Sequence, residues 1–184
     1  MKQFILFFVI SCFFGCSPNL KIYDQHQLMK PVDKRKDNFY IKDFSGSNER
    51  LKGKWIWTNN KDTLVLKFTP IYKMKYDERV FNYKNAYYDT NKINIKYIEK
   101  GNVLLDNLEE GSLENCLFAN HLEILTTMFY LYNKCESGIF NHPVLLFVGN
   151  DLVLVNKWNE DMGVLIEGKE YKVKIPRTIT LKRL

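Results

Sequence analysis

The sequence has few of the residues from which catalytic and metal sites are usually built. Its three histidines are His26, His121 and His142, and no two of them stand two or four positions apart, so no metal-ligand spacing is present. Ser112 and Ser137 lack the Gly-x-Ser-x-Gly pattern that holds a catalytic serine on a sharp turn. We therefore predict no metal and no cofactor, and the sequence does not support catalysis.

Also missing is any apolar run long enough to cross a bilayer as a helix, which takes about 20 residues. The run from Phe4 to Phe14 follows a single basic residue, Lys2, and ends at Gly15. A basic start, an apolar core of about 7–15 residues and a small residue at the end are typical of a secretory signal peptide. Residues 1–15 are therefore predicted to be a signal.

The residue after this signal is a cysteine, and Gly15-Cys16 resembles the processing site of a bacterial lipoprotein. The resemblance implies that Cys16 carries acyl chains such as palmitate and becomes the mature N-terminus. Cys12 is a competing site whose preceding residues match the lipoprotein pattern more closely. We favour Cys16, because cleavage before Cys12 would shorten the apolar core and leave two phenylalanines just inside the mature protein. The alternative is an ordinary cleaved signal without a lipid.

The residue that follows the cysteine bears on location. It is Ser17, which is not acidic. By resemblance to other lipoproteins, this favours the outer membrane of a Gram-negative bacterium over the inner membrane. Two acyl chains would make release from the bilayer very slow. We therefore expect a protein of the cell envelope that is held at the membrane by its N-terminal lipid.

Acidic residues are in the minority, with 21 Asp and Glu against 27 Lys and Arg, for a net charge of +6. The basic residues are scattered along the chain, apart from Lys34-Arg35-Lys36, and show no nucleic-acid recognition pattern. A mild positive excess favours anionic lipid headgroups or an acidic protein as a partner. Nucleic acid is not expected to be one.

Residues 16–50 are polar and rich in turn-forming residues, including Pro18 and Pro31. This composition predicts a tether between the lipid and the folded domain. A flexible coil of about 33 residues would average about 30 Å from end to end. Within it, residues 38–44 carry apolar side chains and are expected to dock on the domain as a short strand.

From Leu51 onward apolar and polar residues alternate, which is the period of half-buried strands. Gly149-Asn150-Asp151 and Glu167-Gly168-Lys169 predict tight hairpins between such strands. Residues 122–132 are apolar on both faces and are predicted to form the longest strand. About nine or ten strands joined by short turns indicate an all-β domain over residues 51–184. We predict an antiparallel meander that closes as a lipocalin-like barrel, with a β-sandwich as the alternative.

Two resemblances support this fold. Gly53-Lys54-Trp55 resembles the Gly-x-Trp opening of lipocalin-like (calycin-type) domains, in which the tryptophan plugs one end of a barrel. More widely, residues 55–59, 63–68, 96–101 and 175–182 resemble a family of uncharacterised small bacterial lipoproteins, and this likeness spans most of the domain. The resemblance to this lipoprotein family implies an all-β domain, and it implies no activity and no site residues.

Two sets of residues are candidates for a special role. Cys116 and Cys135 can form a disulfide in an exported protein, or they can be two buried thiols. A disulfide would close a loop of about 20 residues and stabilise the folded state by roughly 3 kcal/mol.

A group of tyrosines lies near several lysines and is a candidate binding surface, because tyrosine combines an apolar body with a polar tip. Ordinary packing between strands also explains the group, and we favour that explanation. The tyrosines are Tyr72, Tyr76, Tyr83, Tyr87 and Tyr88.

The remaining candidates are the carboxylates Glu109, Glu110 and Glu114, which could serve as acid and base, although acidic residues in a loop are ordinarily solvated.

Taken together, these patterns favour a lipid-anchored envelope protein that binds or scaffolds a partner. One alternative is a lipocalin-like carrier, which needs an apolar cavity for a small ligand. The other is an envelope hydrolase, which needs a cleft where carboxylates or a histidine converge.

Overall fold

A computed structural model describes residues 20–25, 38–75, 84–109, 117–121, 128–133, 143–156, 162–166 and 169–184. These residues form thirteen strands and one short helix, α1 (Ser47–Leu51). In chain order the strands are β1 (Lys21–Asp24), β2 (Phe39–Lys42), β3 (Gly53–Thr58), β4 (Asp62–Lys75), β5 (Ala86–Glu99), β6 (Asn102–Asp106), β7 (Leu117–His121), β8 (Met128–Asn133), β9 (Val144–Val148), β10 (Asp151–Val155), β11 (Met162–Ile166), β12 (Lys169–Val173) and β13 (Thr178–Arg183).

Eight of these strands pair in a closed circuit. The order is β3, β4, β5, β7, β8, β9, β10 and β13, and β13 pairs with β3 to complete it. Every pair in the circuit is antiparallel, and almost all neighbours follow one another along the chain, as in an up-and-down barrel. The predicted all-β, lipocalin-like barrel is therefore confirmed.

The remaining barrel-associated strands are short. β6 forms a hairpin with β5 beside the circuit, and β11 and β12 form a separate two-stranded sheet. Both predicted hairpins are present, because Val148 pairs with Asp151 and Ile166 pairs with Lys169. Gly149, in the first of these turns, has a φ of 62°, a conformation that glycine adopts without steric cost.

The barrel core follows from the alternation along β4 and β5. Every second residue of β4 from Leu64 to Phe68 is buried, and every second residue of β5 from Ile93 to Tyr97 packs against them. Successive side chains of a strand point to opposite faces, so one face of each strand lines the interior. Trp55 joins this cluster from β3, where it is 2 % exposed.

β4 and β5 extend well beyond the start of β3. Gly53 pairs with Phe68, and β4 then continues to Lys75, with a register shift between Ile71 and Met74. On the far side of β5, β2 pairs in parallel with residues 86–88, and β1 pairs in parallel with β2. We call this extension the flap: β1, β2, residues 70–75 of β4 and residues 86–90 of β5.

The flap changes the expected division of the chain. The strand predicted within residues 38–44 is present as β2. However, β1 also lies in the sheet, so the segment predicted as a tether over residues 16–50 is in part folded onto the domain. A four-residue strand is too short to show an alternating pattern, which is why the sequence did not predict it.

Residues 122–132, which are predicted to form the longest strand, are only partly described, and residues 128–132 lie in β8. β7 ends at His121 and β8 begins at Met128, and the intervening residues lie outside the described part of the chain. Among the described strands the longest are β4 and β5, with 14 residues each. Pro70 falls inside β4, although proline normally argues against a long central strand.

Candidate functional site at the closed end of the barrel

Helix α1 lies at the end of the barrel where β3 begins. Leu51, its last residue, is fully buried in the barrel core, and its carbonyl oxygen accepts a hydrogen bond of 2.7 Å from Trp55 Nε1. Gly53 connects the helix to β3 with a φ of 116°, in the region that only glycine adopts readily. The Gly-x-Trp sequence thus allows the chain to turn from the helix into β3 and to place the indole across the barrel end.

Arg183 holds this closure from the other side. Its guanidinium lies 4.9 Å from the centroid of the Trp55 ring, within the range of a cation–π contact. Arg183 Nη2 donates to the carbonyl oxygens of Arg50 and Lys52 at 2.6 and 3.0 Å. The last strand is therefore tied both to the first barrel strand and to the end of α1.

A second arginine ties α1 to the β9–β10 hairpin. The Arg50 guanidinium lies 3.9 Å from the centroid of the Phe147 ring, and its Nη2 donates to the carbonyl oxygen of Gly149 at 2.5 Å. Phe147 in turn meets Trp55 edge to face, with the ring centroids 5.9 Å apart. These aromatic and guanidinium groups form one continuous stack across the closed end.

Next to this stack, the inward face of β5 changes from apolar to polar. Asp89 and Asn91 continue the alternating positions of Ile93, Ile95 and Tyr97, whose side chains form the barrel core. Asp89 is 1 % exposed and Asn91 is fully buried. A polar pair in a core face has to be hydrogen-bonded to be tolerated.

The Asp89 carboxylate is satisfied by three donors from different segments. Oδ1 accepts from the Tyr40 hydroxyl at 2.6 Å and from the Lys73 amide at 2.9 Å, and Oδ2 accepts from the Asp43 amide at 3.0 Å. Burial, followed by the hydrogen bond to Asp89, raises the pKa of Tyr40 well above its usual range. Asp89 therefore joins β2, the β4 bulge and β5, and its oxygens are occupied by structural contacts.

Asn91 and Asn48 form a buried amide pair that is only half satisfied. Asn91 Nδ2 donates to Asn48 Oδ1 at 2.8 Å. Among the described residues, Asn48 Nδ2 and Asn91 Oδ1 have no hydrogen-bond partner, although the two residues are 1 % and 0 % exposed. The pair therefore has one unused donor, Asn48 Nδ2, and one unused acceptor, Asn91 Oδ1. A water molecule or a hydroxyl group can both accept and donate, so either would complement this pair.

Asp43 orders the segment that brings Asn48 to this position. Its Oδ2 accepts from the Asn48 amide at 2.7 Å, at the start of α1, and its Oδ1 accepts from the Ser45 hydroxyl at 2.6 Å. A carboxylate here satisfies an amide that the helix itself leaves without a partner. The residues after β2 are thus fixed in place by local hydrogen bonds.

A tyrosine–carboxylate contact joins α1 to β4 on the outside. The Tyr72 hydroxyl donates to Glu49 Oε1. This hydrogen bond is the main cause that raises the pKa of Tyr72 to about 12, and it lowers the pKa of Glu49. Tyr72 is 55 % exposed, so the contact lies at the surface.

The predicted tyrosine surface is only partly assembled. Tyr72 is exposed, and the half-buried Tyr87 has the Lys73 ammonium 5.3 Å from its ring centroid. Tyr88 is buried at 7 % exposure and packs with Met74 in a small separate cluster, so it does not belong to a contact surface. Tyr76 and Tyr83 lie outside the described residues.

Of the predicted acidic candidates Glu109, Glu110 and Glu114, the structure describes only Glu109. Glu109 is exposed and forms ion pairs with Lys67 and Lys54 at 2.9 and 3.4 Å, which lower its pKa. In the described ranges, no group of three or more His, Cys, Asp or Glu residues is placed to hold a metal ion. The other candidates outside the described residues are Cys16, Cys116, Cys135, Glu110, Glu114, Ser112, Ser137, His26 and His142.

The opposite end of the barrel is covered by the segment that follows β11. Val173 is fully buried in the core cluster, and Tyr171 and Ile175 pack against it. The Tyr97 hydroxyl donates to the carbonyl oxygen of Lys174 at 2.9 Å. Side chains therefore occupy the described interior from Trp55 at one end to Val173 at the other.

Sequence reasoning missed Asp89, Asn91, Asn48 and Tyr40. The signal was Asp89-Thr90-Asn91-Lys92, a polar run in the middle of a strand that is otherwise rich in tyrosine and isoleucine.

Comparison with protein families, with curated proteins and with solved structures finds no match to this chain. No helix in the described ranges has both the length and the apolar character needed to span a membrane.

Proposed function

We propose that this chain is a lipid-anchored protein of the cell envelope that binds or scaffolds a partner through its outer surface. The observation that carries the proposal is the core cluster inside the described part of the barrel. Fifteen buried residues from α1 and the surrounding strands form one contiguous core cluster. Where this cluster occupies the interior, the outer surface is the part of the barrel that a partner can contact.

The same core argues against a carrier of a small apolar ligand. Such carriers have cavities of about 300–1,000 Å³, which bury most of the ligand. Here Trp55 and Tyr97, two of the largest buried side chains, occupy the interior, and α1 and Val173 cover its two ends. A passenger would have to displace well-packed aromatic side chains.

The described carboxylates argue against a hydrolase. A general acid or base needs an oxygen within hydrogen-bond reach of the substrate. Both Asp89 oxygens accept bonds from protein donors, and Glu109 is held in exposed ion pairs. Their contacts explain these residues as structural and surface groups.

The anchor is supported by the order of residues at the N-terminus. One lysine, an apolar core and Gly15-Cys16 precede a polar segment that leads within a few residues to β1. Ser17 after the cysteine favours the outer membrane. The resemblance to small bacterial lipoproteins supports the same location and implies nothing about activity.

Intact-mass spectrometry of the protein extracted from its own envelope tests the proposal. Under denaturing conditions we expect a chain that starts at Cys16 and carries acyl chains. Cys16→Ser should abolish the acyl mass, whereas the matched variant Cys12→Ser should leave it unchanged. An unmodified chain, or loss of acylation in Cys12→Ser alone, would contradict the anchor at Cys16.

Native spectra of the same sample separate a scaffold from a carrier. We expect either the chain alone or the chain with a protein partner. A small apolar molecule that stays bound under native conditions and is lost on denaturation would overturn the scaffold in favour of the carrier. Mutations of outer-surface residues would then have no effect on its retention.

A further inference from the structure

We infer that the Asn48–Asn91 pair binds an internal water molecule between α1 and β5. The water accepts a hydrogen bond from Asn48 Nδ2 and donates one to Asn91 Oδ1. This inference goes beyond the proposed function, because it adds a buried binding site on the inward side of the barrel. It depends neither on the lipid at Cys16 nor on a partner at the outer surface.

The first argument is the burial of the two unused atoms. Asn91 is fully buried and Asn48 is 1 % exposed, so neither side chain reaches bulk solvent. Among the described residues, Asn48 Nδ2 and Asn91 Oδ1 have no hydrogen-bond partner. Buried side-chain polar atoms are in the large majority bonded to protein or to ordered water, because leaving one without a partner is costly. A donor and an acceptor in the same contact therefore call for a ligand that both accepts and donates.

The second argument is that the neighbours of Asn91 in the sheet offer no donor. In the register, Asn91 lies opposite Pro70 of β4 and Ala119 of β7, and neither residue type has a polar side chain. Along the inward face of β5, the next residues are Asp89 on one side and Ile93 on the other. A carboxylate only accepts hydrogen bonds, and an isoleucine side chain forms none. These positions therefore cannot satisfy Asn91 Oδ1.

The third argument is that both asparagines are held in place by other contacts. The Asn48 amide donates to Asp43 Oδ2 at 2.7 Å, and Leu51, three residues later, is buried in the core. Asn91 is fixed by the strands on either side of β5. With both backbones held, the two amides meet through the single bond from Asn91 Nδ2 to Asn48 Oδ1. A reciprocal bond between them is not formed, so a third group has to supply it.

The fourth argument concerns the size of this third group. Leu51 is fully buried, and the Arg50 guanidinium packs on the Phe147 ring, so α1 is held against the barrel. Ser47, beside Asn48, is only 6 % exposed. A larger ligand would have to displace α1, whereas a water molecule needs a space of about one probe sphere and two to four polar partners. Water is therefore the ligand that fits a pair buried beneath the helix.

Water-to-protein magnetisation transfer in NMR tests the site without any substitution. The sample is the isotope-labelled chain from residue 17 onward, which keeps every described residue. The side-chain amide protons of Asn48 should show cross peaks at the water frequency, with opposite signs in laboratory-frame and rotating-frame spectra, as for a water that tumbles with the protein. The matched control is Asn94, which is 2 % exposed and whose Nδ2 donates to the Asn107 carbonyl oxygen at 2.7 Å. Its amide protons should show no such peaks.

Two results of this measurement would overturn the inference. Absence of the water cross peak at Asn48 would show that the amides reorient in solution and satisfy each other. Cross peaks from Asn48 to carbon-bound protons that do not belong to the chain would identify the occupant as an organic hydroxyl compound.

Oxygen-17 relaxation dispersion, which counts long-lived internal waters, gives a second readout. Asn48→Leu with Asn91→Leu should reduce the dispersion amplitude by the contribution of at least one water molecule. Equal amplitudes in the wild type and this double variant would contradict the site. Thermal unfolding checks that the double variant is folded, and if it is not, the cross peaks of the unsubstituted chain decide.

Tyr40→Phe is the matched control for this comparison. It removes a hydroxyl from the same polar region, where Tyr40 donates to Asp89, and it leaves both asparagines in place. The dispersion amplitude and the Asn48 cross peak should both be unchanged. Loss of the cross peak in Tyr40→Phe would show that the signal was relayed through the tyrosine hydroxyl, and it would overturn the inference. Neither readout depends on acylation of Cys16, so the site and the proposed function can fail separately.

Discussion

The guanidinium of Arg183 covers the indole of Trp55 at 4.9 Å and donates to two carbonyl oxygens at the end of α1. The pair joins the last barrel strand to the first, where Arg183 and Trp55 are also partners in the β-sheet register. One side chain thus fixes the sheet closure and the helix that covers the barrel end. This contact explains how a chain with a five-residue helix closes one end of its barrel.

We predict that Arg183→Ala lowers the free energy of unfolding by about 2 kcal/mol, because it removes a cation–π contact and two hydrogen bonds. Arg183→Lys should recover less than half of this loss, since an ammonium lacks the planar fork of a guanidinium. Urea unfolding measures both changes. Arg177→Ala, at an exposed position before β13, is the control and should change stability by less than about 0.5 kcal/mol. A similar loss in both alanine variants would contradict the role of Arg183.

The fold was largely predictable from sequence, and the reason lies in local patterns. Alternation around Leu64 and Leu66, the turn residues after Val148 and the Gly-x-Trp opening all act over a few positions. The role of Arg183 was not predictable, because its partners at residues 50 and 52 lie 133 and 131 positions away. The contact between Asn91 of β5 and Asn48 was likewise not predictable, because it depends on where α1 lies in the fold.

Asp89 connects three segments at the base of the flap through hydrogen bonds. Asp89→Ala leaves the Tyr40 hydroxyl and the amides of Asp43 and Lys73 without their acceptor. We predict a loss of about 3 kcal/mol in the free energy of unfolding, because hydrogen bonds to a buried charged group are among the stronger ones. Tyr40→Phe removes only one of the three bonds and should cost about 1 kcal/mol.

Hydrogen exchange gives the second readout for Asp89. The Asp43 and Lys73 amides should exchange faster in Asp89→Ala, whereas amides of the barrel pairs between Trp55 and Leu66 should keep their protection relative to the global stability. An equal increase in the exchange rates of flap and barrel amides would show that Asp89 stabilises the whole domain and has no local effect on the flap.

The Asn48–Asn91 pair predicts a strongly non-additive double-mutant cycle. Asn91→Leu alone leaves the Asn48 amide buried without any partner for its side chain, and should cost about 2 kcal/mol. Replacing both asparagines by leucine removes the unsatisfied donor and acceptor together, and should cost less than the single change. Urea unfolding of the two single variants and the double variant measures the coupling. Simple addition of the two single losses would contradict the half-satisfied pair.

Tyr72 and Glu49 provide a prediction that depends on pH. The hydrogen bond raises the folded-state pKa of Tyr72 to about 12 and lowers that of Glu49, so it requires a protonated tyrosine and an ionised glutamate. Its stabilisation is therefore present between the unfolded-state pKa values, about 4.3 for glutamate and about 10 for tyrosine. It is lost as the pH falls through the lowered pKa of Glu49 or rises through the raised pKa of Tyr72.

Difference absorbance between the wild type and Tyr72→Phe should show one tyrosine that ionises near pH 12. Glu49→Gln should bring this transition down towards the ordinary tyrosine value, because the anionic acceptor is gone while the hydroxyl keeps its exposure. Glu109→Gln removes another exposed carboxylate, which is paired with Lys54 and Lys67, and it should leave the transition in place. If Glu49→Gln and Glu109→Gln shifted the transition equally, general charge would explain the raised pKa. A shift confined to Glu49→Gln would establish the hydrogen bond between α1 and β4 in solution.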